Sequence, residues 1–308
     1  MDIIRKINDS IYDNKLIPYL VGINILDINA DNPIINRKVY YQLKHPLFSA
    51  DIFSKEKKYS LNNTLLIEIG EILDIDISQL LDNKEFVFCS IVAKPVSFYH
   101  ERTSFAIRIS NYDYENAFIN MKKFLIQHLM ISSSIIDAIY NIAYKIFKNN
   151  HFITFPISML GINKYTKNDI PYAQLYITNN PDTTTGNINE ISKESALQNA
   201  LNIIETLNLN IDLHELKNLI DFAYSKNAFL SFNGIDIYRS EIKKFKLYFR
   251  CKNIMTVSDA LDIFSEKIST LDKLFISYIG DIVDFIALTF IPKEKGIFIF
   301  DGIQVYQK

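Results

Sequence analysis

Short segments in which apolar and polar residues alternate recur along the chain, and most come in pairs separated by a polar turn. The clearest pair spans residues 229–251. In its second half two sets of residues alternate, namely Lys246, Tyr248 and Arg250 with Leu247, Phe249 and Cys251. Strand side chains have a period of two, so one face of this strand is apolar and the other is cationic and aromatic.

Five such strand pairs are predicted. They are 37–44 with 47–54, 86–93 with 103–110, 152–161 with 172–178, the two halves of 229–251, and 275–279 with 285–291, followed by a last short strand at 296–300. Short loops join the members of each pair, which requires antiparallel pairing, because parallel strands need a long crossover connection.

Helical spacing of apolar residues fills most of the sequence between the strand pairs. Helices are predicted at about 3–13, 60–73, 114–130, 135–146, 193–207 and 213–224, and after Thr256. Asp212 precedes one of them, with Glu215 three residues later, which is close to a capping box. The helix over 114–130 places Phe118, Met121, Leu125 and Leu129 on one side.

The recurring pairs predict an α+β fold with about ten antiparallel strands in five ββ repeats and helices on one face of the sheet. No linker divides the chain, so residues 1–308 are interpreted as a single domain. The other face could meet water in an open sheet, or line the inside of a closed barrel. In the second strands of repeats two to five, that face carries isolated cations among Tyr, Phe, Gln and small residues, without acidic partners. This composition favours a barrel with an internal binding chamber and an outer ring of helices.

Composition and charge narrow the function classes. A net charge of −2 gives no global electrostatic case for binding nucleic acid or an anionic membrane. The two cysteines, Cys89 and Cys251, fall in predicted strands, so free thiols are expected. No signal peptide or long apolar run is present, which predicts a cytoplasmic protein. Nucleotide-binding glycine motifs and aspartate-rich DDxxD sites are missing, and the five histidines are dispersed.

The order of antiparallel ββ pairs with outer helices resembles the ABBA, or PT-barrel, prenyltransferases, and is most similar to the cyanobactin-type peptide prenyltransferases. The resemblance covers residues 35–292 and depends on the stretches FAIRISNYDYENAF, GIN with YAQLYI, GIDIYRSEIKKFKLYFRCKN and FISYIGDIVDFIALTF. It implies transfer of a dimethylallyl or geranyl group from its diphosphate to a side chain or terminus of a ribosomally made peptide, such as a macrocycle. It also implies that Mg²⁺ accompanies the diphosphate.

The chemistry of that reaction selects candidate residues. A departing diphosphate calls for cationic and hydroxyl donors, and an allylic cation calls for aromatic walls that exclude water. The predicted diphosphate-binding residues are Arg108, Lys246, Arg250, Tyr248, Tyr176 and Gln174, and the predicted prenyl and acceptor pocket contains Tyr41 and Phe285. We expect Mg²⁺ to bind mainly through diphosphate oxygens rather than in a protein cage.

One departure from the resembled family concerns the base. The family is thought to use a Glu on an early strand, whereas residues 35–44 contain no Asp or Glu. Asp51 is the nearest carboxylate and the candidate for this role. Two other functions stay open: a small-molecule aromatic prenyltransferase of the same fold, and a non-catalytic binding protein with an open polar sheet face.

Overall fold

The computed structural model describes residues 16–26, 34–43, 85–94, 99–108, 114–149, 157–164, 172–179, 191–251 and 285–307. In these ranges the strands are Leu16–Leu26 (β1), Ile34–Leu43 (β2), Glu85–Lys94 (β3), Tyr99–Arg108 (β4), Ile157–Lys164 (β5), Tyr172–Thr178 (β6), Asn210–Ile211 (β7), Ala228–Tyr238 (β8), Glu241–Cys251 (β9), Phe285–Pro292 (β10) and Ile297–Gln307 (β11). The α-helices are Tyr114–Leu129 (α1), Ser133–Asn149 (α2), Lys193–Thr206 (α3) and Leu213–Ser225 (α4), and a short 3-10 turn covers Glu294–Gly296.

The strands form one sheet in the order β1-β2-β3-β4-β5-β6-β8-β9-β10-β11-β7. Neighbouring long strands are antiparallel, and the two-residue β7 runs parallel to β11. The outermost long strands also pair with each other, from Val21 opposite Gln307 to Leu26 opposite Gly302. The predicted α+β class with antiparallel pairing is therefore confirmed.

Three of the predicted strand pairs are confirmed in the structure. They correspond to β3 with β4, β5 with β6, and β8 with β9. The predicted boundaries fit best for β6, and for β8 and β9, where alternation is cleanest. β4 begins at Tyr99, four residues before its predicted start, and β5 extends to Lys164.

The first and fifth predicted pairs have the wrong partners. β2 pairs with β1 on one side, and on the other side its residues next to the predicted turn pair with β3. β10 pairs with β9 and β11, so both of its edges are already hydrogen-bonded. The predicted partners at 47–54 and 275–279 lie outside the described residues, as do the predicted helices at 3–13, at 60–73 and after Thr256.

The helices cover one face of the sheet and form the main hydrophobic core with it. The predicted apolar side of α1 is buried, since Phe118, Met121, Leu125 and Leu129 are at most 5% exposed. The sheet contributes fully buried residues of β9 and β10 to the same core, among them Phe245, Leu247, Phe249 and Phe290. Burial of this apolar surface is the main force that holds the helices on the sheet.

The start of α4 follows the sequence prediction. The Asp212 side chain accepts hydrogen bonds from the backbone N–H groups of His214 and Glu215, at 2.8 and 3.2 Å. These bonds satisfy two donors that the first turn of a helix leaves without an intrahelical partner. None of the helices in the described ranges is both long and apolar enough to cross a membrane.

Candidate functional site

A second cluster lies on the sheet face opposite the helices. Its residues come from five strands and we call them the polar-face cluster: Gln174 and Tyr176 of β6, Phe232, Gly234 and Asp236 of β8, Lys246, Tyr248 and Arg250 of β9, Phe285, Ala287 and Thr289 of β10, and Gln304 and Tyr306 of β11. Cross-strand register connects them, since Gly234 lies opposite both Tyr176 and Lys246, and Lys246 lies opposite Thr289. Paired residues share a face, so these side chains are neighbours.

Tyr248 occupies the centre of the polar-face cluster. Its ring centroid is 5.6 Å from that of Tyr176 and 6.3 Å from that of Tyr306. Gln174 Nε2 donates a hydrogen bond of 3.4 Å to the Tyr248 hydroxyl oxygen. Tyr306 in turn donates from its hydroxyl to Gln304 Oε1. Three tyrosine rings thus form one aromatic surface whose orientation is fixed in part by two amide side chains.

Gly234 gives the Tyr248 ring its place against the sheet. A Cβ atom at position 234 would lie 2.8 Å from Tyr248 Cε2 and 3.5 Å from Lys246 Cβ. The first distance is shorter than a van der Waals contact, so only glycine lets the ring approach the β8 backbone this closely.

Two β-bulges border the part of β8 that carries the cluster. One lies between Leu230 and Phe232, and the other at the step from Asp236 to Ile237. Bulges increase local twist and re-aim side chains, and they are frequent next to active sites. Here they separate the segment 232–236 from the regular pairing on either side of it.

Lys246 forms a buried ion pair with Asp236. Lys246 Nζ lies 3.2 and 3.0 Å from the two carboxylate oxygens of Asp236, and the side chains are 3% and 1% exposed. Asp236 lies on the first strand of its repeat, whereas the predicted polar face was built from the second strands. The inference that the cations of this face lack acidic partners is therefore wrong for Lys246.

Arg250 lies at the far end of the same row of β9 and is exposed. Its guanidinium carbon is 5.8 Å from the centroid of Phe285, which also faces the ring of Phe232 at 6.3 Å. Arg250 is four positions along the strand from Lys246, which is about 13 Å at roughly 3.3 Å per residue. The two predicted cations thus differ in position, burial and partner.

Register also gives the positions of two predicted residues on the early strands. Arg108 lies opposite Met159, which lies opposite Tyr176, so Arg108 belongs to a row that reaches the polar-face cluster. Tyr41 lies opposite Ile91 of β3. Its neighbour Gln42 lies opposite Ser90, which in turn lies opposite Ser104 of β4. Tyr41 and Gln42 therefore belong to alternate rows of the sheet. Asp51 lies outside the described residues.

The sequence reasoning missed Asp236, Phe232, Gly234, Gln304 and Tyr306 as members of this site. Tyr306 was missed because the last strand was predicted to end at 300, although Ile303 and Val305 continue the alternation with Gln304 and Tyr306. Asp236 carried a visible signal, because it alternates with the buried Ile235 and Ile237.

The cluster combines features that suit a reacting cation and a departing anion. Aromatic faces stabilise a positive charge without reacting with it, and a buried site keeps water away. Thr289 lies opposite Lys246, and its buried Oγ1 has no hydrogen-bond partner among the described residues. This hydroxyl could therefore donate a hydrogen bond to a ligand or accept one from it.

The donor set of the cluster does not fit a magnesium ion held by protein ligands. Both oxygens of Asp236 accept hydrogen bonds from Lys246. In the part of the chain that the structure describes, no three His, Cys, Asp or Glu side chains group around a point that could hold a metal.

Comparison with solved structures shows the fold. The chain superimposes on 5-dimethylallyltryptophan synthase from Streptomyces coelicolor with a TM-score of 0.53 and 7% identity, covering 96% of this chain and 81% of that one. It superimposes on PriB in a binary complex with product diphosphate with a TM-score of 0.54 and 10% identity, covering 95% and 79%. PriB in a ternary complex with L-tryptophan and dimethylallyl thiolodiphosphate gives a TM-score of 0.53.

These neighbours are prenyltransferases of the ABBA fold, and the chain shares that fold with them. No protein-family model and no curated protein sequence matches the chain.

Proposed function

We propose that this protein is a prenyltransferase that ionises an allylic diphosphate beside the polar-face cluster and transfers the dimethylallyl or geranyl group to an electron-rich acceptor. The observation that carries the proposal is the aromatic surface of Tyr176, Tyr248 and Tyr306. It lies beside buried polar groups in a fold shared with enzymes that bind dimethylallyl thiolodiphosphate.

A closed barrel around this cluster is part of the proposal. Pairing of β1 with β11 supports it, because those strands stand at the two ends of the long-strand order. The near-complete burial of Lys246 and Asp236 supports it too, since an open polar face would leave both side chains in water. A dry lumen would protect the allylic cation from attack by water.

The diphosphate would bind toward the Arg250 end of the cluster, with Arg108, Tyr176 and Tyr248 as further donors. Arg250 supports this placement best, because no described carboxylate pairs with it and its guanidinium lies over the Phe285 ring. Lys246 is neutralised by Asp236, so its attraction for an anion is weaker than that of an unpaired lysine. Mg²⁺, if the reaction uses it, would bind through diphosphate oxygens.

The proposed acceptor is an electron-rich aromatic side chain, presented in a ribosomally made peptide as the resemblance implies. The alternative is a small-molecule aromatic acceptor such as a free amino acid. L-tryptophan in the ternary complex of PriB favours this alternative. Both acceptors use the same chemistry at the cation, so the polar-face cluster does not distinguish them. A panel of free and peptide-bound tryptophan and tyrosine, including a cyclic peptide, separates the two.

The first experiment is calorimetric titration with dimethylallyl and geranyl thiolodiphosphates, with and without Mg²⁺, followed by product analysis with the acceptor panel. We expect saturable binding of one donor. Arg250→Ala should weaken it about 10- to 100-fold, the equivalent of a charge-assisted hydrogen bond. Lys243→Ala is the matched control, because Lys243 is an exposed lysine of β9 whose ion-pair partner is Glu241.

The outcomes separate the competing functions. Binding of neither donor, or equal binding by Arg250→Ala and wild type, would contradict the proposed site. Donor binding without diphosphate release under any condition would favour the non-catalytic binding protein. The Mg²⁺ arm shows directly whether the donor binds as a magnesium complex.

A further inference from the structure

We propose that Asp236 is the proton acceptor of the transfer reaction, and this inference rests on the proposed function. Among the residues that make up the polar-face cluster, Asp236 is the acidic one, and its side chain is 1% exposed. Its position on β8 is two residues from Gly234, which supports the Tyr248 ring. A carboxylate there would face the same chamber as the aromatic surface.

Neighbouring strands place Asp236 among groups that the reaction needs. Gln174 lies directly opposite Asp236 on β6, and Gln174 donates to the Tyr248 hydroxyl at 3.4 Å. On the other side Lys246 of β9 donates to both carboxylate oxygens. Asp236 therefore has a polar neighbour on each adjacent strand, and one of them, Gln174, contacts the central tyrosine.

The ion pair with Lys246 explains how a buried aspartate can serve in this environment. An isolated ionised carboxylate is costly in an apolar chamber, and a cationic partner offsets that cost. Each carboxylate oxygen has two lone pairs, so hydrogen bonds from one ammonium group leave acceptor capacity. The ion pair keeps a charged base in place without exposing it to solvent.

The proposed step balances as follows. The C–O bond of the donor breaks, and its electron pair leaves with the diphosphate. The acceptor ring supplies the electron pair for the new C–C bond and becomes a cationic intermediate. That intermediate releases its ring proton to a carboxylate oxygen of Asp236, which restores the aromatic ring. Such an intermediate is a strong acid and gives up its proton readily to a carboxylate within reach.

The test measures diphosphate release and prenylated product separately, in wild type, in Asp236→Asn and in the double variant Asp236→Asn with Lys246→Met. In Asp236→Asn we expect product formation to fall by about 100-fold or more, the usual contribution of a positioned base. Diphosphate release should fall far less, because ionisation of the donor does not need the base. The double variant removes both charges, so it should restore thermal stability but not product formation.

A ring-deuterated acceptor gives a second readout that a structural role would not change. With the base present, loss of the ring proton is fast and deuterium has little effect on the rate. In Asp236→Asn proton loss becomes slow, so a primary isotope effect should appear. Two outcomes would show that the ion pair is structural and would overturn the inference. One is that diphosphate release and prenylated product fall equally in Asp236→Asn. The other is that prenyl transfer recovers in the double variant.

Failure of the proposed function is recognised in the wild type alone. A wild-type protein that forms no prenylated product with the acceptor panel removes the proposed function, and this inference with it. An active wild type whose Asp236→Asn variant transfers at an unchanged rate overturns the inference and leaves the proposed function intact.

Discussion

The middle of β9 and of β10 is buried on both faces of the sheet, but for different physical reasons. On the helix side, Phe245, Leu247 and Phe249 are 0% exposed and belong to a large apolar core. On the polar face, Lys246 and Tyr248 are also nearly buried, at 2% and 8% exposed. Their partners there are a carboxylate, an amide and other aromatic rings.

This difference separates stability from chemistry along a single strand. Packing of apolar side chains at crystal-like density supplies most of the folding free energy. Buried polar groups contribute little net stability, because desolvation offsets what their hydrogen bonds gain. The helix-side core should therefore tolerate substitution poorly, whereas the polar face should show its substitutions mainly in binding and turnover.

The strongest test of that separation compares two phenylalanines of β10. Phe290 is fully buried on the helix side, and its ring centroid lies 6.2 Å from that of Phe245 and 5.7 Å from that of Phe300. Phe290→Ala should lower the free energy of unfolding by about 3–5 kcal/mol, the usual result of a large cavity in a core. Denaturant-induced unfolding followed by circular dichroism measures this loss.

Phe285→Ala is the matched control, because it removes the same side chain from the half-buried polar face of the same strand. We expect it to cost about 1 kcal/mol of stability, while it weakens binding of the prenyl thiolodiphosphate. Equal destabilisation by the two substitutions would show that both faces contribute packing energy alike, and the separation would fail.

The helix-side half of the fold was predictable from the sequence because it depends on local periodicity. The spacing of Phe118, Met121, Leu125 and Leu129 gave the buried side of α1, and Asp212 gave the start of α4. Clean alternation gave β6, β8 and β9. Each of these features is determined within a few residues of sequence.

Strand partners and polar contacts depend on distant residues, and there the sequence was insufficient. β1 carries Pro18 and a nearly continuous apolar run, so it shows no alternation, and β2 was given the wrong partner. The pair of Lys246 and Asp236 requires the β8–β9 register, which two bulges shift. No local pattern indicates where a bulge occurs in a strand.

A smaller effect on stability is expected at Gly234, which tests how closely packing and ligand binding are coupled on the polar face. A methyl group there would meet Tyr248 Cε2 at 2.8 Å, so Gly234→Ala must displace the ring. The stability cost should be about 1–2 kcal/mol, as for overpacking of a well-filled site. The larger result should be weaker donor binding, because the Tyr248 hydroxyl loses its position beside Gln174.

The effect can be assigned to the ring by repeating Gly234→Ala in a Tyr248→Ser background. Without the ring, the alanine meets no close atom of residue 248, and its cost should fall to a few tenths of a kcal/mol, as for a site without coupling. A cost that is unchanged in this background would mean that the β8 backbone, rather than Tyr248, requires glycine.

The smallest effect is expected for Glu215, where α4 meets β11, away from the two faces compared above. Burial raises the pKa of Glu215 above its ordinary 4.5, the negative charge of Asp212 raises it further, and a hydrogen bond from the Phe300 backbone N–H partly opposes both. A raised native pKa means that the folded protein binds this proton more tightly than the unfolded chain does. The stabilisation is complete below the unfolded pKa and is lost as pH rises through the native value.

Glu215→Gln should remove that pH dependence while keeping an oxygen for the Phe300 N–H. At pH 4 the variant and the wild type should be about equally stable, and at pH 7 the variant should be more stable by about 0.5 kcal/mol, a value kept small because the side chain is only partly buried. Urea unfolding at both pH values measures the difference, with the exposed Glu205→Gln as control. If the wild type gains stability relative to Glu215→Gln between pH 4 and 7, the native carboxylate is favoured, and the Phe300 bond outweighs burial.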